Sequence, residues 1–259
     1  MSRLHKLFDP IKTERTFEKV STKIKGLIFD GVLAPGDRLP SETELAHQFD
    51  VGRQTIREAL RILELSGFIT IQKGGNGGPL IRTTILDTIN SLFLDAFRLE
   101  RITTEELTLA RIGIEKVVLN HAINLADGHD ILSLRENIQK ARKKIDQNIM
   151  AIDENVEFHN LLARASRNHV FVMVVGSMMA VVRDHTSRLT ASLEGTNKVL
   201  RHSESVIISR NALDIHEEIV KAMMEKDREK ATALMDTHVR EVGLRLESLT
   251  NSSGATPMS

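Results

Sequence analysis

Asn155 and His159 stand at i and i+4, so a helix through them puts a carbonyl oxygen and an imidazole on one face. His216 and His238 follow in two further stretches with helical spacing. Three imidazoles and a carbonyl oxygen form a donor set suited to Zn²⁺, Ni²⁺ or a similar borderline divalent ion. Spacing alone leaves the plainer alternative open, because histidines on separate helices are commonly structural or surface residues. A second chemistry lies nearer the start of the chain. Arg53, Gln54, Arg57 and Arg61 are interleaved with Ile56, Ala59, Leu60 and Leu63. The apolar set forms a stripe to bury and the polar set projects outward, with Arg53 and Arg57 one turn apart. Arg and Gln can make bidentate contacts to guanine and adenine edges. A solvated basic helix with no partner is the alternative for such a helix in isolation.

The elements around Arg53 decide how it is presented. Phe17, Val20, Ile24, Leu27 and Ile28 recur at helical spacing from Thr16 to Asp30, with Thr16 as the expected N-cap and Gly31 as the stop. Leu33 to Pro40 reads as a turn and an extended segment, since Pro40 biases Leu39 away from helix. Ser41-Glu42-Thr43-Glu44 is a capping box that opens a second helix ending near Phe49. Asp50-Val51-Gly52 then leads into a third helix, Arg53 to Ser66, closed by Gly67. Two short helices joined by a tight turn form a helix-turn-helix, whose second helix enters the major groove by its first turn. Phe68 to Gln72 is strand-like, Lys73, Gly74 and Gly75 begin a glycine-rich basic tip, and Leu80-Ile81-Arg82 returns. The glycines match neither G-x-G-x-x-G nor a phosphate-binding loop, so a wing is the better reading.

Beyond Arg82 the pattern is helical throughout. Thr103-Thr104-Glu105-Glu106 is another capping box, opening a helix to about Ala126 with Gly128 beyond it. Further helices are expected over Asp130 to Gln147, Ala151 to Ala165, His169 to Leu193, Glu204 to Met224 and Lys230 to Leu249. The fold class is therefore mostly α: a winged helix-turn-helix of three helices and a β-hairpin, then an all-α bundle of six or seven helices. The expected divisions are an N-terminal arm over 1–13, the reading domain over 14–82, a linker or first bundle helix over 83–102, the bundle over 103–249 and a disordered tail over 250–259.

Composition removes other classes. The 259 residues contain no Cys, Trp or Tyr, which excludes disulfide scaffolds, thiolate zinc sites, thiol nucleophiles and single-strand binding by stacked aromatics. No apolar stretch approaches the ~20 residues that cross a bilayer, and the start, Met1 to Arg15, lacks a signal peptide's apolar core. Membrane partners are not expected and a cytoplasmic location is. Net charge is zero, with 35 basic and 35 acidic residues, but residues 1–82 hold 13 Lys+Arg against 10 Asp+Glu and the remainder 22 against 25. Neutrality thus conceals a slightly basic reader and a slightly acidic remainder.

Ala34-Pro35-Gly36-Asp37-Arg38-Leu39-Pro40-Ser41-Glu42-x-Glu44-Leu45-Ala46 and Val51-x-Arg53-x-Thr55-Ile56-Arg57-Glu58-Ala59-Leu60-x-x-Leu63 resemble the signature of GntR-family winged helix-turn-helix regulators. The resemblance implies operator contacts by Arg53, Thr55 and Arg57, and a wing whose glycines follow the adjacent minor groove. Thr43 stands where the best-studied members carry a base-contacting Arg, and Gly52 where Ser or Thr usually caps the recognition helix. Glu157-Phe158-His159-x-x-Leu162-Ala163-x-Ala165-Ser166-x-Asn168, Arg111-x-x-x-Glu115 and Ala231-x-x-Leu234-Met235-x-x-His238 resemble the FCD effector domain of the FadR-like subgroup. That resemblance implies a homodimer and a metal held at Asn155, His159, His216 and His238. Asn155 replaces the Asp of the family pattern, removing a negative charge and leaving a weaker ligand. It also implies a small carboxylate effector assisted by Arg111, with Arg183 and Arg210 as further candidates. The expected function is a ligand-responsive regulator, a repressor on a palindromic double-stranded operator, and not an enzyme. The alternatives are a metal-dependent enzyme in the bundle and a metal-free regulator sensing an acyl-type ligand. His121, His129, His169, His185 and His202 are read as structural or exposed.

Overall fold

The computed structural model describes residues 15–72, 74, 77–193 and 198–252, without the side chains of 189–193, 198–208 and 248–252. The expected arm, Lys73 and Gly75 of the wing, His202's side chain and the tail beyond Ser252 lie outside the described residues. The chain divides into two compact units, Met1–Thr88 and Ile89–Ser259.

In the first unit, α1 (Thr16–Phe29), α2 (Glu42–Phe49) and α3 (Arg53–Leu65) precede β1 (Ile69–Gln72) and β2 (Gly78–Ile81). Arg15, not Thr16, is the N-cap of α1, because the Glu18 carboxylate reaches back to the Arg15 backbone N–H at 3.4 Å. The capping box of α2 forms as expected: Ser41 Oγ accepts from the Glu44 N–H at 3.3 Å and Glu44 accepts from the Ser41 N–H at 2.8 Å. Asp50 adopts a left-handed φ of 51° at the turn, and Gly52 caps α3 without a side chain. Ile56, Ala59, Leu60 and Leu63 of α3 are buried against Val20 and Ile24 of α1, Leu45 of α2 and the inward Ile69 and Ile81 of the hairpin. The strands are antiparallel, pairing Ile69 with Ile81 and Gln72 with Gly78. The segment before α2 lies along β2: Leu39 N–H donates to the Pro79 carbonyl and Ile81 N–H to the Asp37 carbonyl, both at 2.9 Å.

The second unit contains most of α4 (Leu86–Leu99) and all of α5 (Thr104–Leu125), α6 (Gly128–Asp146), α7 (Ile152–Ala165), α8 (His169–Leu193), α9 (Lys198–Glu225) and α10 (Arg228–Ser252). Thr103 and Glu106 form the expected box at α5. Gly128 is the first residue of α6 and not a spacer, because the Asp127 carboxylate accepts from the N–H groups of His129 and Asp130 at 2.9 and 3.0 Å. Helix α9 starts at Lys198, ahead of the expected Glu204, and α10 runs through Ser252 into the expected tail. Helix α5 packs on α7 and α10, α7 on α6 and α8, and α9 on α6 and α10. Leu119, Leu134, Phe158, Leu162, Ile219, Met235 and Val239 fill the main core.

His169–Arg188 of α8 is long and apolar enough to cross a membrane by length and composition alone, although its uncharged run extends only from Val170 to Val182. In the bundle, Val175, Met178, Met179, Val181 and Val182 of that run are buried with Phe97, Leu107, Val118 and Val156. The apolar length therefore serves a second core cluster.

Gly67 ends α3 with φ +78°, and a Cβ there would lie 2.3 Å from Thr88 Oγ1. Gly31 has a similar φ of +72° but open space around it. Both Ala variants suffer the left-handed backbone cost, and Gly67→Ala adds overpacking. We expect Gly67→Ala to be about 1–3 kcal/mol more destabilising than Gly31→Ala in urea unfolding, with Thr88→Ala recovering part of the difference. Equal losses for the two glycines would contradict the packing argument.

Candidate functional site

The outward face of α3 carries Arg53, Gln54, Arg57 and Arg61, all exposed, with Thr55 half-buried at its edge. Thr43 is exposed on α2, and Gly74 is exposed after β1. A residue that the motif reading did not single out ties this face together. Glu42 Oε2 lies 2.8 Å from Arg57 Nε and 3.8 Å from Arg53 Nη2. Gln54 Nε2 donates to Glu58 at 3.0 Å. Solvent-exposed pairs contribute only about 0–1 kcal/mol, so phosphate or base edges can displace them at little cost. Glu42 was visible in the sequence as part of the capping box, but its reach to α3 depends on the angle between the two helices.

The histidines converge in the bundle. Helix α7 carries Asn155 and His159, α9 carries His216 and α10 carries His238. The Nε2 atoms of His216 and His238 are 3.2 Å apart, as are those of His238 and His159. All three side chains are buried. Two imidazole nitrogens bound to one ion at about 2.0–2.1 Å stand about 2.9–3.4 Å apart for cis-octahedral to tetrahedral angles. Both of these separations fall within that range, and one ring nitrogen from each of the three histidines lies within 4.8 Å of the other two, so they could face one ion. Asn155 Oδ1 is buried with no hydrogen-bonding partner, which suits a fourth donor one turn from His159. Phe158 stacks on the His216 ring with centroids 3.7 Å apart and planes at 9°, fixing that imidazole.

Burial, followed by the neighbouring imidazoles and Arg111, holds His216 well below the usual histidine range. Burial, then His159 and Arg111, does the same to His238 against a smaller opposing pull from Glu115. Both rings are thereby kept neutral, the state in which imidazole is a ligand. Helix α5 supplies the adjacent ion pair: Arg111 Nε donates to Glu115 Oε1 at 2.7 Å, and Glu115 Oε2 lies against His159 Nδ1. Burial pushes the Glu115 carboxyl up, but the Arg111 guanidinium and the contact with His159 outweigh it and hold the group at about 2.

The structure thus brings Arg111, His159, His216 and His238 together. It pairs Arg183 with Asp153 at 3.1 Å and Arg210 with Asp146 at 3.9 Å, all four exposed. Glu157 turns to the surface and pairs with Arg164. His121 meets Phe171 edge-on at 5.4 Å, while His129 and His169 are exposed and His185 is half-buried. Glu115 is the residue of this centre to which the sequence reading gave no role. Its i, i+4 spacing from Arg111 marks a helix ion pair, but its contact with His159 depends on how α5 packs on α7.

Comparison with known proteins agrees with this two-part construction. Residues 16–76 match the family described as bacterial regulatory proteins, gntR family, and residues 106–241 match the FCD domain. The chain is 25% identical over 237 residues to the Uxu operon regulator of Haemophilus influenzae, covering 92% of this chain and 84% of that one. It is 25% identical over 240 residues to the Uxu operon transcriptional regulator of Escherichia coli, covering 92% and 89%. The HTH-type transcriptional repressor NanR of Salmonella typhimurium is 24% identical over 246 residues, covering 94% and 89%. A solved structure described as Streptococcus agalactiae GntR shares the fold at a TM-score of 0.64, with 23% identity over 88% of this chain and 99% of that one. The named relatives are transcriptional regulators and not enzymes.

Acid acts on the histidine centre through two routes of one sign. His216 and His238 titrate well below 6.5 when folded, so below that pH the unfolded chain binds more protons and stability falls. Glu115 titrates at about 2 folded against an ordinary 4.5, so its contribution is complete above 4.5 and disappears between 4.5 and about 2. The urea midpoint of ion-free protein should therefore decline as pH drops from 6.5, and Glu115→Gln should flatten the decline below 4.5. A midpoint constant from pH 6.5 to pH 4 would refute this electrostatic account.

Proposed function

The chain belongs to the GntR family of bacterial regulatory proteins, with an FCD domain as its helical half, and from that premise we propose how this DNA-binding transcriptional regulator works. It is a repressor that binds a palindromic double-stranded operator as a homodimer in the cytoplasm. A small carboxylate effector, received beside a divalent ion in the bundle, changes that binding. The observation that carries the proposal is the convergence of three buried imidazoles, with His238 Nε2 at 3.2 Å from the Nε2 atoms of both His216 and His159, and Asn155 Oδ1 left unpartnered one turn from His159. The relatives named as repressors support the direction of control.

In this reading Arg53, Gln54 and Arg57 reach base edges from the start of α3, and Thr43 and Thr55 border that contact. Lys73, Gly74 and Gly75 place the wing on the neighbouring minor groove. Asn155, His159, His216 and His238 hold the ion, with Zn²⁺ or Ni²⁺ suited to so nitrogen-rich a set. When bound, the ion supplies open coordination positions for a carboxylate. Arg111 gives its Nε to Glu115, and its terminal nitrogens would receive the effector's anionic group. Arg183 and Arg210 would have to exchange Asp153 and Asp146 for the ligand to contribute. Dimerisation is supported by α5, which buries Leu107, Val118 and Leu119 on one side yet leaves Leu109 and Val117 exposed on another. A helix apolar on both sides is ordinarily covered on both. Effector binding that shifts the bundle helices would couple to operator affinity by about 1–3 kcal/mol.

Two measurements test the two halves separately. On a duplex selected from a random pool, Arg53→Ala should weaken binding by about 1–3 kcal/mol in gel-shift titrations at fixed salt. Unchanged affinity would remove Arg53 from base reading. Elemental analysis of purified protein should find zinc or nickel at one ion per chain, absent from a His159→Ala/His216→Ala variant. Neither ion in wild-type protein would end the metal reading and leave a metal-free pocket for an acyl-type ligand.

A further inference from the structure

Glu115 is a buried acid that direct ion ligation does not use. It sits on α5 and is 3% exposed, as is Arg111, while His159 is 4% exposed. One carboxylate oxygen, Oε1, accepts from Arg111 Nε at 2.7 Å. The other, Oε2, lies against His159 Nδ1. Neither Oε2 nor His159 Nδ1 has another hydrogen-bonding partner. Two buried polar atoms that have only each other require one hydrogen between them. Because Oε1 takes its hydrogen from Arg111, the Glu115 carboxyl acts as an acceptor and the shared hydrogen belongs to Nδ1. In the form that binds an ion the ring carries one hydrogen, so a hydrogen held at Nδ1 leaves the His159 Nε2 lone pair for the ion. That same Nε2 is 3.2 Å from His238 Nε2, on the cluster side of the ring.

We propose that Glu115, braced by Arg111, is a positioning residue that fixes the Nδ1–H form of His159 and aims its Nε2 at the shared ion. The assignment rests on the metal reading given above. Carboxylate–histidine–metal arrangements of this kind set both ring orientation and ligand basicity. The support is selective, since His238 Nδ1 is buried without any partner and has no comparable acceptor. It also gives Arg111 a role before any effector arrives, because removing its guanidinium would free Oε1 and loosen the carboxylate that orients His159.

The test uses the full chain, freed of ions with a chelator and labelled with ¹⁵N at histidine. Long-range ¹H–¹⁵N correlations report which ring nitrogen of His159 carries hydrogen, with the His159→Ala spectrum identifying its signals. Ni²⁺ and Zn²⁺ are then titrated calorimetrically into wild type and Glu115→Gln, with circular dichroism verifying that both are folded. The expected result is Nδ1–H in ion-free wild type, loss of that single form in Glu115→Gln, and about 10–100-fold weaker ion binding by the variant. Should Glu115→Gln not fold, the wild-type spectrum decides alone. Nε2–H on wild-type His159 overturns the assignment, as does Glu115→Gln binding that is unchanged. Wild-type protein that takes up neither ion overturns the metal reading and this role together, whereas tight binding retained by the variant overturns this role only.

Discussion

The bundle is organised around a polar problem at its centre: three imidazoles, a guanidinium and a carboxylate, each no more than 4% exposed. Charges and unpartnered polar groups are costly in such a place, and the arrangement meets the cost in two ways. His216 and His238 stay neutral, and Glu115 and Arg111 stay charged but adjacent. Each solution depends on more than one helix. His159 comes from α7, His216 from α9, His238 from α10, and the ion pair from α5. A slip of one helix along its neighbour would strand a buried charge or separate the nitrogens. The polar centre therefore fixes the relative placement of four helices more tightly than the surrounding leucines and valines could, because apolar contacts tolerate repacking.

The reading unit rests on the opposite arrangement, an apolar interior with its polar groups outside. Ile56, Ala59, Leu60 and Leu63 fasten α3 by one stripe, which turns Arg53, Arg57 and Arg61 to the surface. Glu42 lies across the first turn of that helix from α2. The two arginines are thus partly ordered before DNA arrives, a modest preorganisation achieved by a weak exposed contact.

Much of this was legible before folding was considered. The faces of α3 followed from a 3.6-residue period, the starts of α2 and α5 from Ser41–Glu44 and Thr103–Glu106, and α8 ran between its expected ends. Local signals failed where two of them competed. Gly128 reads as a stop after α5, but Asp127 just before it is a stronger N-cap and begins α6 at once. The length of α8 does not read as a span in the sequence because Arg183 and Asp184 end its uncharged run at Val182. In the histidine centre, spacing alone left the three imidazoles open as structural residues, and the resemblance to the FCD domain singled them out. Glu115 remained unassigned because its partner His159 lies on another helix, and no periodicity encodes a contact between helices. Arg183 and Arg210 show the converse, since an arginine near a candidate site in sequence is as readily one half of a surface ion pair.

The uncharged run of α8 also bears on how the chain is ordered. By length and composition alone, His169–Arg188 passes for a membrane span, with 33% of it buried in the folded protein. The buried cluster that receives it contains Phe97, Leu107, Val118, Val156 and Ala163, all from helices synthesised earlier. The cover of α8 in that cluster therefore uses no residue of α9 or α10. His216 and His238 of the polar centre lie on those two later helices. The order of helices thus places the partners of the most apolar segment before it in the chain and the last two histidines of the polar centre after it.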